Sequence, residues 1–246
     1  MSPLQESVKR NTRALVGALP IVAKVIGRSL GVKVVVGGEA ACTDGNTIWV
    51  PALPVEDPDV PLLAYGYIDH EAAHVRYTDF ETVKDGTIKT PMHKMLTNIL
   101  EDVRIEKEIM RSYPGTRKNL DRLISWMVDN GMVEAASMDN NPALRLQRYL
   151  LTRLRREELS QDSLAALADQ SEAIMKETMP RGVMTKLDAL LSQVSGLGST
   201  REAANLAGRV LTMLDEESQL PETAPGGSSD NEQDGSQPGE HGDGQA

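Results

Sequence analysis

The amino-acid sequence predicts an α+β domain in which helix predominates. Apolar residues recur at helical spacing through most of the chain from residue 61 to residue 217, whereas only two short segments, 32–36 and 47–50, are rich in β-branched residues. From Pro221 onward Gly, Ser, Gln, Asp, Glu and Pro dominate, and this composition cannot bury enough apolar surface to offset the entropy of ordering. We therefore predict one domain over residues 1–217 and a disordered acidic tail or linker over 218–246.

The predicted strands lie in the first fifty residues. A helical pattern covers residues 4–30, bent or split near Pro20, and the two strands follow. Between the strands, Thr43-Asp44-Gly45-Asn46 is typical of a tight turn, which predicts a β-hairpin over residues 32–50. Four prolines between residues 51 and 61 then indicate an irregular connection.

The rest of the chain predicts a series of helices. The first runs from about residue 61 to residue 77. The next begins with Thr90 as its N-cap and Pro91 in its first turn, and it ends near Ser112, before Tyr113-Pro114-Gly115. Further helices are predicted at 116–130, 142–158, 161–178, 181–195 and 199–217.

Charge and cysteine content exclude several classes of protein. The net charge is −10, but nine acidic residues and no Lys or Arg lie from Asp215 onward, so the rest of the chain is nearly neutral. It therefore lacks the basic surface of a nucleic-acid-binding protein, and the arginines at 145–156 are read as a solvated helix face. The single cysteine, Cys42, excludes an internal disulfide. The most apolar early segment, 14–26, is too short and too interrupted to cross a membrane, so we expect a cytoplasmic protein.

The most informative motif is His70-Glu71-Ala72-Ala73-His74, which has the HExxH spacing of a metal site. Positions i and i+4 share one face of a helix, so both imidazoles can bind one ion, and Glu71 can take a proton from a metal-bound water. Two of the four histidines in the chain fall in this motif. The alternative is a surface helix with two incidental histidines, but the residues before the motif are apolar, as in a buried helix.

Catalytic zinc usually has three protein ligands, and the predicted helix 91–112 offers the third. At about 100° per residue, Asp102 and Glu106 lie roughly 60° and 20° from Ile99 on the apolar stripe, whereas Glu101 lies roughly 160° away on the polar side. Carboxylates on a buried stripe are costly unless they are paired or bind metal. We therefore predict Asp102 as the third ligand and Glu106 as the partner that orients a ligand histidine.

Alternatives to this ligand set stay open. The two acids can instead hold Arg76 or Arg104 through salt bridges. Glu101 is the alternative third ligand, because a modest rotation of the helix would turn it toward the motif. His93 is a weaker candidate, since a lone histidine in the first turn of a helix is more often a surface or capping residue.

Two segments together resemble a known family. His70-Glu-Ala-Ala-His-Val-Arg-Tyr-Thr-Asp79 and Asn98-Ile-Leu-Glu-Asp-Val-Arg-Ile-Glu106 are similar to the zincin-like N-terminal region of the cobaltochelatase subunit that bears a von Willebrand factor A domain, and to related metallopeptidase-like proteins. The resemblance implies a zincin-like metallopeptidase domain in which the hairpin lines the cleft and can receive an extended peptide as a further strand. It also implies an AAA+ ATPase as the partner of the von Willebrand domain. No Asp-x-Ser-x-Ser signature occurs here, so the role of motor partner is not carried over to this chain by itself.

Two functions follow from these observations. The first is a zinc-dependent metallopeptidase, in which His70, His74 and Asp102 bind Zn²⁺ and Glu71 activates water against a peptide or protein substrate. The second is a non-catalytic zincin-like subunit or adaptor of a cobaltochelatase-type assembly, which binds an AAA+ ATPase or a von Willebrand factor A protein. In the peptidase, the candidate donors to the developing oxyanion are Tyr65, Tyr67, Tyr77 and Arg76.

Overall fold

The computed structural model describes Val25 and residues 32–36, 41–50 and 60–219. In these ranges a small sheet precedes a set of helices, as the sequence predicts for an α+β chain in which helix predominates. The strands are β1 (Lys33–Val36), β2 (Cys42–Thr43) and β3 (Thr47–Val50). The helices are α1 (Val60–Tyr77), α2 (Phe80–Lys84), α3 (Pro91–Ser112), α4 (Gly115–Asp129), α5 (Pro142–Leu159), α6 (Ala165–Thr178), α7 (Arg181–Leu191) and α8 (Thr200–Gln219), with short 3-10 helices at Asp162–Leu164 and Val194–Gly196.

The sheet differs from the predicted hairpin. β1 pairs with β3 in parallel, and β2 pairs with β3 antiparallel, so the strand order is β1-β3-β2. The predicted turn is present, with Asp44 Oδ1 accepting hydrogen bonds from the backbone N–H groups of Asn46 and Thr47 and with Gly45 at φ +93°. It joins β2 to β3, however, and the prediction that it joins segment 32–36 to segment 47–50 is wrong. β2 is only two residues long, so no alternation of apolar residues could mark it as a strand.

The helix predictions from residue 60 onward are confirmed within a few residues at each end. α3 begins as its sequence indicates, because the Thr90 side chain accepts a hydrogen bond from the His93 N–H and Pro91 occupies the first turn. Helix α2 was not predicted; its N-cap, Asp79, accepts from the Glu81 N–H. The predicted helix at 4–30, apart from Val25, and the predicted tail from residue 220 onward lie outside the described residues.

Two packing features position the site. α1 packs against α3, α4 and β3, and its crossing with α4 is close at Gly66, where an added Cβ would lie 2.7 Å from Leu123 Cβ and 2.8 Å from the Asn119 carbonyl oxygen. α3 is central, since α1, α5 and α8 all pack on it. The face of α3 that its sequence marks as polar is therefore also covered. The prediction that Glu101 lies on an exposed polar side is wrong: Glu101 is only 3% exposed.

Candidate metal centre

The two histidines of the HExxH motif come together with Asp102 of α3. One nitrogen from each of His70 and His74 and one carboxylate oxygen of Asp102 all lie within 4.8 Å of one another. His74 Nε2 is 3.2 Å from Asp102 Oδ1. The other Asp102 oxygen, Oδ2, accepts a hydrogen bond from the Asn98 amide at 3.2 Å, which leaves Oδ1 directed at the histidine.

His70 is oriented by a buried carboxylate. Its Nδ1 is 2.8 Å from Glu106 Oε1, and Glu106 is 1% exposed. The guanidinium of Arg155, on α5, binds both Glu106 oxygens, at 2.7 and 2.9 Å. Burial by itself raises the pKa of Glu106, but the charge of Arg155 and the contact with His70 outweigh it and lower the pKa to about 2. Glu106 is therefore an ionised acceptor, and His70 Nδ1 carries the hydrogen of this bond.

The charge around His70 favours the protonated imidazole when no metal ion is bound. Burial lowers the pKa of His70, but the hydrogen bond to Glu106 and the carboxylates of Asp102, Glu106 and Glu71 outweigh it and raise the pKa to about 9. A metal ion at Nε2 would have to displace this proton, so metal binding and proton release are coupled at this site.

His74 is oriented through a hydroxyl group. Its Nδ1 is 3.0 Å from Thr78 Oγ1, and Thr78 Oγ1 donates to Glu101 Oε1 at 2.9 Å. A hydroxyl has one hydrogen and a carboxylate only accepts, so Thr78 must accept from His74 Nδ1–H. In the neutral imidazole Nε2 then carries a lone pair, and this lone pair faces Asp102 Oδ1. Asp102 Oδ1 is buried and has no hydrogen-bond donor within the described part of the chain.

Glu101 does not join the cluster. Its two oxygens accept from Thr78, from the Thr200 hydroxyl at 2.8 Å and from Arg104 at 2.7 and 2.8 Å. Arg104 is itself buried, so Glu101 and Arg104 form a charge-compensated ion pair within α3, and the Thr200 hydroxyl joins this pair to the start of α8. The structure therefore gives Glu101 the role of anchor for the Thr78 hydroxyl and leaves it outside the group of ligand atoms that His70, His74 and Asp102 form.

A family model described as "Cobalamin biosynthesis protein CobT" matches residues 9–246. The chain belongs to the CobT family. No curated protein and no solved structure matches it. Membership in a family of cobalamin biosynthesis contradicts the predicted classification of this chain as a zinc metallopeptidase and hydrolase.

The cleft of this CobT-family chain has a volume of about 260 Å³ and is bounded by α1, α3, the edge strand β2 and the segment that begins at Phe80. Glu71 lines it beside the histidines and is 3% exposed. Burial raises the pKa of the Glu71 carboxyl, the nearby histidines oppose the shift and Asp102 adds to it. Glu71 is thus placed to exchange a proton with a molecule bound in the cleft.

The predicted oxyanion donors are not brought to the cleft of this CobT-family chain, because none of the four is among its lining residues. Tyr77 shares a hydrogen bond with Ser112, and Arg76 donates to Tyr113, at the far end of α3. His93 is also remote: its Nε2 lies 2.8 Å from the Ala204 carbonyl oxygen, where it joins α3 to α8.

Sequence reasoning missed the role of Arg155, which was assigned to a solvated helix face and instead pairs with buried Glu106 at the CobT-family centre. The alternative in which Arg76 or Arg104 holds Asp102 and Glu106 is wrong, because Arg104 pairs with Glu101 and Glu106 pairs with Arg155. One signal was available for Arg155: at about 100° per residue it lies roughly 40° from Leu159, which is buried on the same helix. No helix in the part of the chain that the structure describes has the length and apolar composition needed to cross a membrane.

Proposed function

We propose that this chain is a non-peptidase, metal-binding subunit of a cobaltochelatase-type assembly. The CobT family match supports the assembly, and the paired motifs at His70–His74 and Asp102–Glu106 support a zincin-like origin of the domain. The observation that carries the metal site is the close approach of His74 Nε2 to Asp102 Oδ1. One nitrogen of His70 completes the group, and the three ligand atoms lie within 4.8 Å of one another, close enough to bind one ion.

The donor set fits a divalent metal ion. Two imidazole nitrogens and one carboxylate oxygen are the ligands of many three-residue zinc sites, and N/O donors also accept Co²⁺. We assign Zn²⁺ as the resident ion and use Co²⁺, the ion of cobalamin, as a second ion whose binding is compared with that of Zn²⁺. A bound ion would supply a Lewis-acid centre beside the two histidines that line the cleft.

The protein's own residues define what the site does with such an ion. His70, His74 and Asp102 hold it, while Glu106 and Thr78 fix the two imidazole rings. Glu71, which is buried and has a raised pKa, would accept or return a proton at a molecule bound in the cleft. None of these roles depends on a peptide substrate.

The partner proposed for this chain is an AAA+ ATPase, in the cytoplasm. The family match and the resemblance to the subunit that partners such a motor support it. The free thiol of Cys42 is exposed on β2, as a reducing compartment allows.

The test uses the full chain, expressed with and without the AAA+ ATPase encoded by the same organism. Elemental analysis should give about one Zn²⁺ per chain, lost in His70→Ala and in His74→Ala and kept in His241→Ala, the matched histidine control. Glu71→Gln should keep the metal, because Glu71 is not a ligand. Wild type should co-purify with the ATPase and should leave casein and a random peptide library intact.

Two results would contradict the proposal. A wild-type chain that binds neither Zn²⁺ nor Co²⁺ would refute the metal site. Metal-dependent cleavage of casein that is lost in Glu71→Gln would refute the non-peptidase assignment.

A further inference from the structure

The two histidines of the centre are held by separate hydrogen-bond networks of similar design. In each one an Nδ1–H donates to an oxygen, and the network ends at a buried carboxylate that an arginine neutralises. Both carboxylates lie on α3, but the arginines come from two helices, Arg155 from α5 and Arg104 from α3.

In the His74 network the hydroxyl of Thr78 sets the direction of every hydrogen bond. Its only hydrogen goes to Glu101, whose position Arg104 and Thr200 fix from two other sides. The hydroxyl can therefore only accept from His74, and of the two neutral ring forms it selects the one whose Nε2 is unprotonated. Valine at this position would keep the shape of the side chain and remove the acceptor.

In the His70 network the fork of Arg155 sets the position of the acceptor. Its two nitrogens bind the two Glu106 oxygens, so the carboxylate cannot rotate away from His70 Nδ1. Arg155 also compensates the charge of Glu106, which is almost fully buried. Without Arg155 the carboxylate would be buried with His70 as its remaining partner.

We infer that Thr78 and Arg155 are positioning residues, which fix both histidines with hydrogen on Nδ1 and so leave both Nε2 atoms for the metal ion. This inference rests on the proposed metal site. Groups that orient metal-binding histidines usually change metal affinity by about 10- to 100-fold when they are removed. We expect losses in that range for each residue, although neither contacts the ion.

The Thr78 experiment compares three variants of the full chain. Co²⁺ is titrated and its visible d–d absorption gives the Kd and the coordination signature, with Zn²⁺ measured by competition. Thr78→Val should weaken Co²⁺ binding by about 10- to 100-fold and alter the band shape, and Thr78→Ser should restore both. Thr97→Val is the matched control, because Thr97 is buried in the same cleft and its hydroxyl has no partner among the described residues.

The Arg155 experiment uses Arg155→Met, with Arg153→Met as the control. Arg153 lies two residues away on α5 and pairs with Asp188 and Glu157 instead of the centre. Arg155→Met should weaken Co²⁺ binding by about 10- to 100-fold, and Arg153→Met should not. If Arg155→Met fails to fold, Arg155→Lys keeps the positive charge but loses the two-nitrogen fork that holds both Glu106 oxygens, and its Co²⁺ affinity should still fall.

The outcomes separate this inference from the proposed function. Absence of Co²⁺ and Zn²⁺ binding by wild type would overturn both. Wild-type binding with an unchanged Kd and band shape in Thr78→Val, or in the folded Arg155 variant, would overturn only the positioning roles. Equal losses in the Thr97 or Arg153 controls would also overturn them, since the effect would then be a general one on stability.

Discussion

Gly66→Ala tests the packing that places the HExxH helix. Gly66 lies on α1, one helical turn before His70, at the close crossing with α4. The Cβ of an alanine would lie 2.7 Å from Leu123 Cβ and 2.8 Å from the Asn119 carbonyl oxygen. Both atoms belong to or adjoin the α4 backbone, so they cannot move aside by a rotamer change, and the two helices must separate by several tenths of an ångström.

The expected effect is the balance of two terms. Overpacking of this kind costs about 1–3 kcal/mol, and replacing a glycine inside a helix by alanine gains about 0.5–1 kcal/mol. Gly66→Ala should therefore lower the free energy of unfolding by about 1 kcal/mol, and by about 2.5 kcal/mol at most. Gly182→Ala on α7 is the matched control, because nothing lies within 4 Å of its added Cβ, and it should raise the free energy of unfolding by up to about 1 kcal/mol.

Urea unfolding followed by far-ultraviolet circular dichroism measures both variants at a common slope. The midpoint of Gly66→Ala should fall below that of wild type while the midpoint of Gly182→Ala stays level or rises. If both substitutions raised the midpoint, the crossing of α1 and α4 would have room for a methyl group, and the close approach at Gly66 would be refuted.

Three further predictions concern the centre and the chain end. Asp102→Asn should abolish metal binding, measured by metal titration, with little change in the free energy of unfolding. Glu101→Gln should lower the free energy of unfolding by about 3–5 kcal/mol in urea, because buried Arg104 loses its counter-charge. Loss of metal binding in Glu101→Gln together with loss of stability in Asp102→Asn would refute the roles of the two acids. In the presence of a chelator, the free energy of unfolding should fall by on the order of 3 kcal/mol as the pH rises from 6.5 to 9. The reason is that the pKa of His70 in the folded protein, about 9, lies above its ordinary value of 6.5, so protonated His70 stabilises the fold and this stabilisation is lost as the proton leaves. A profile that is equally steep in His70→Asn would contradict this. Deleting residues 221–246 should leave the melting temperature almost unchanged, and a large fall would show that this segment packs on the domain.

The sequence by itself determined the features that depend on neighbouring residues. The i, i+4 spacing put His70 and His74 on one face of α1, and Thr90-Pro91 marked where α3 begins. The helical phase of α3 also placed Asp102 and Glu106 on the side that faces α1, where the structure has them 3.2 Å from His74 and 2.8 Å from His70. Each of these inferences uses residues within about two helical turns, over which the geometry of a helix is fixed.

Tertiary structure alone decided the rest. Helical phase says which residues share a face, but it does not say how many faces neighbouring elements cover, and α8 covers the face of α3 that carries Glu101. Thr200 is 99 residues from Glu101 and Arg155 is 49 residues from Glu106, and no local pattern links such positions. Strand pairing could not be predicted for the same reason. β1 and β2 both pair with β3, and the sequence of a strand does not specify which other strand it pairs with.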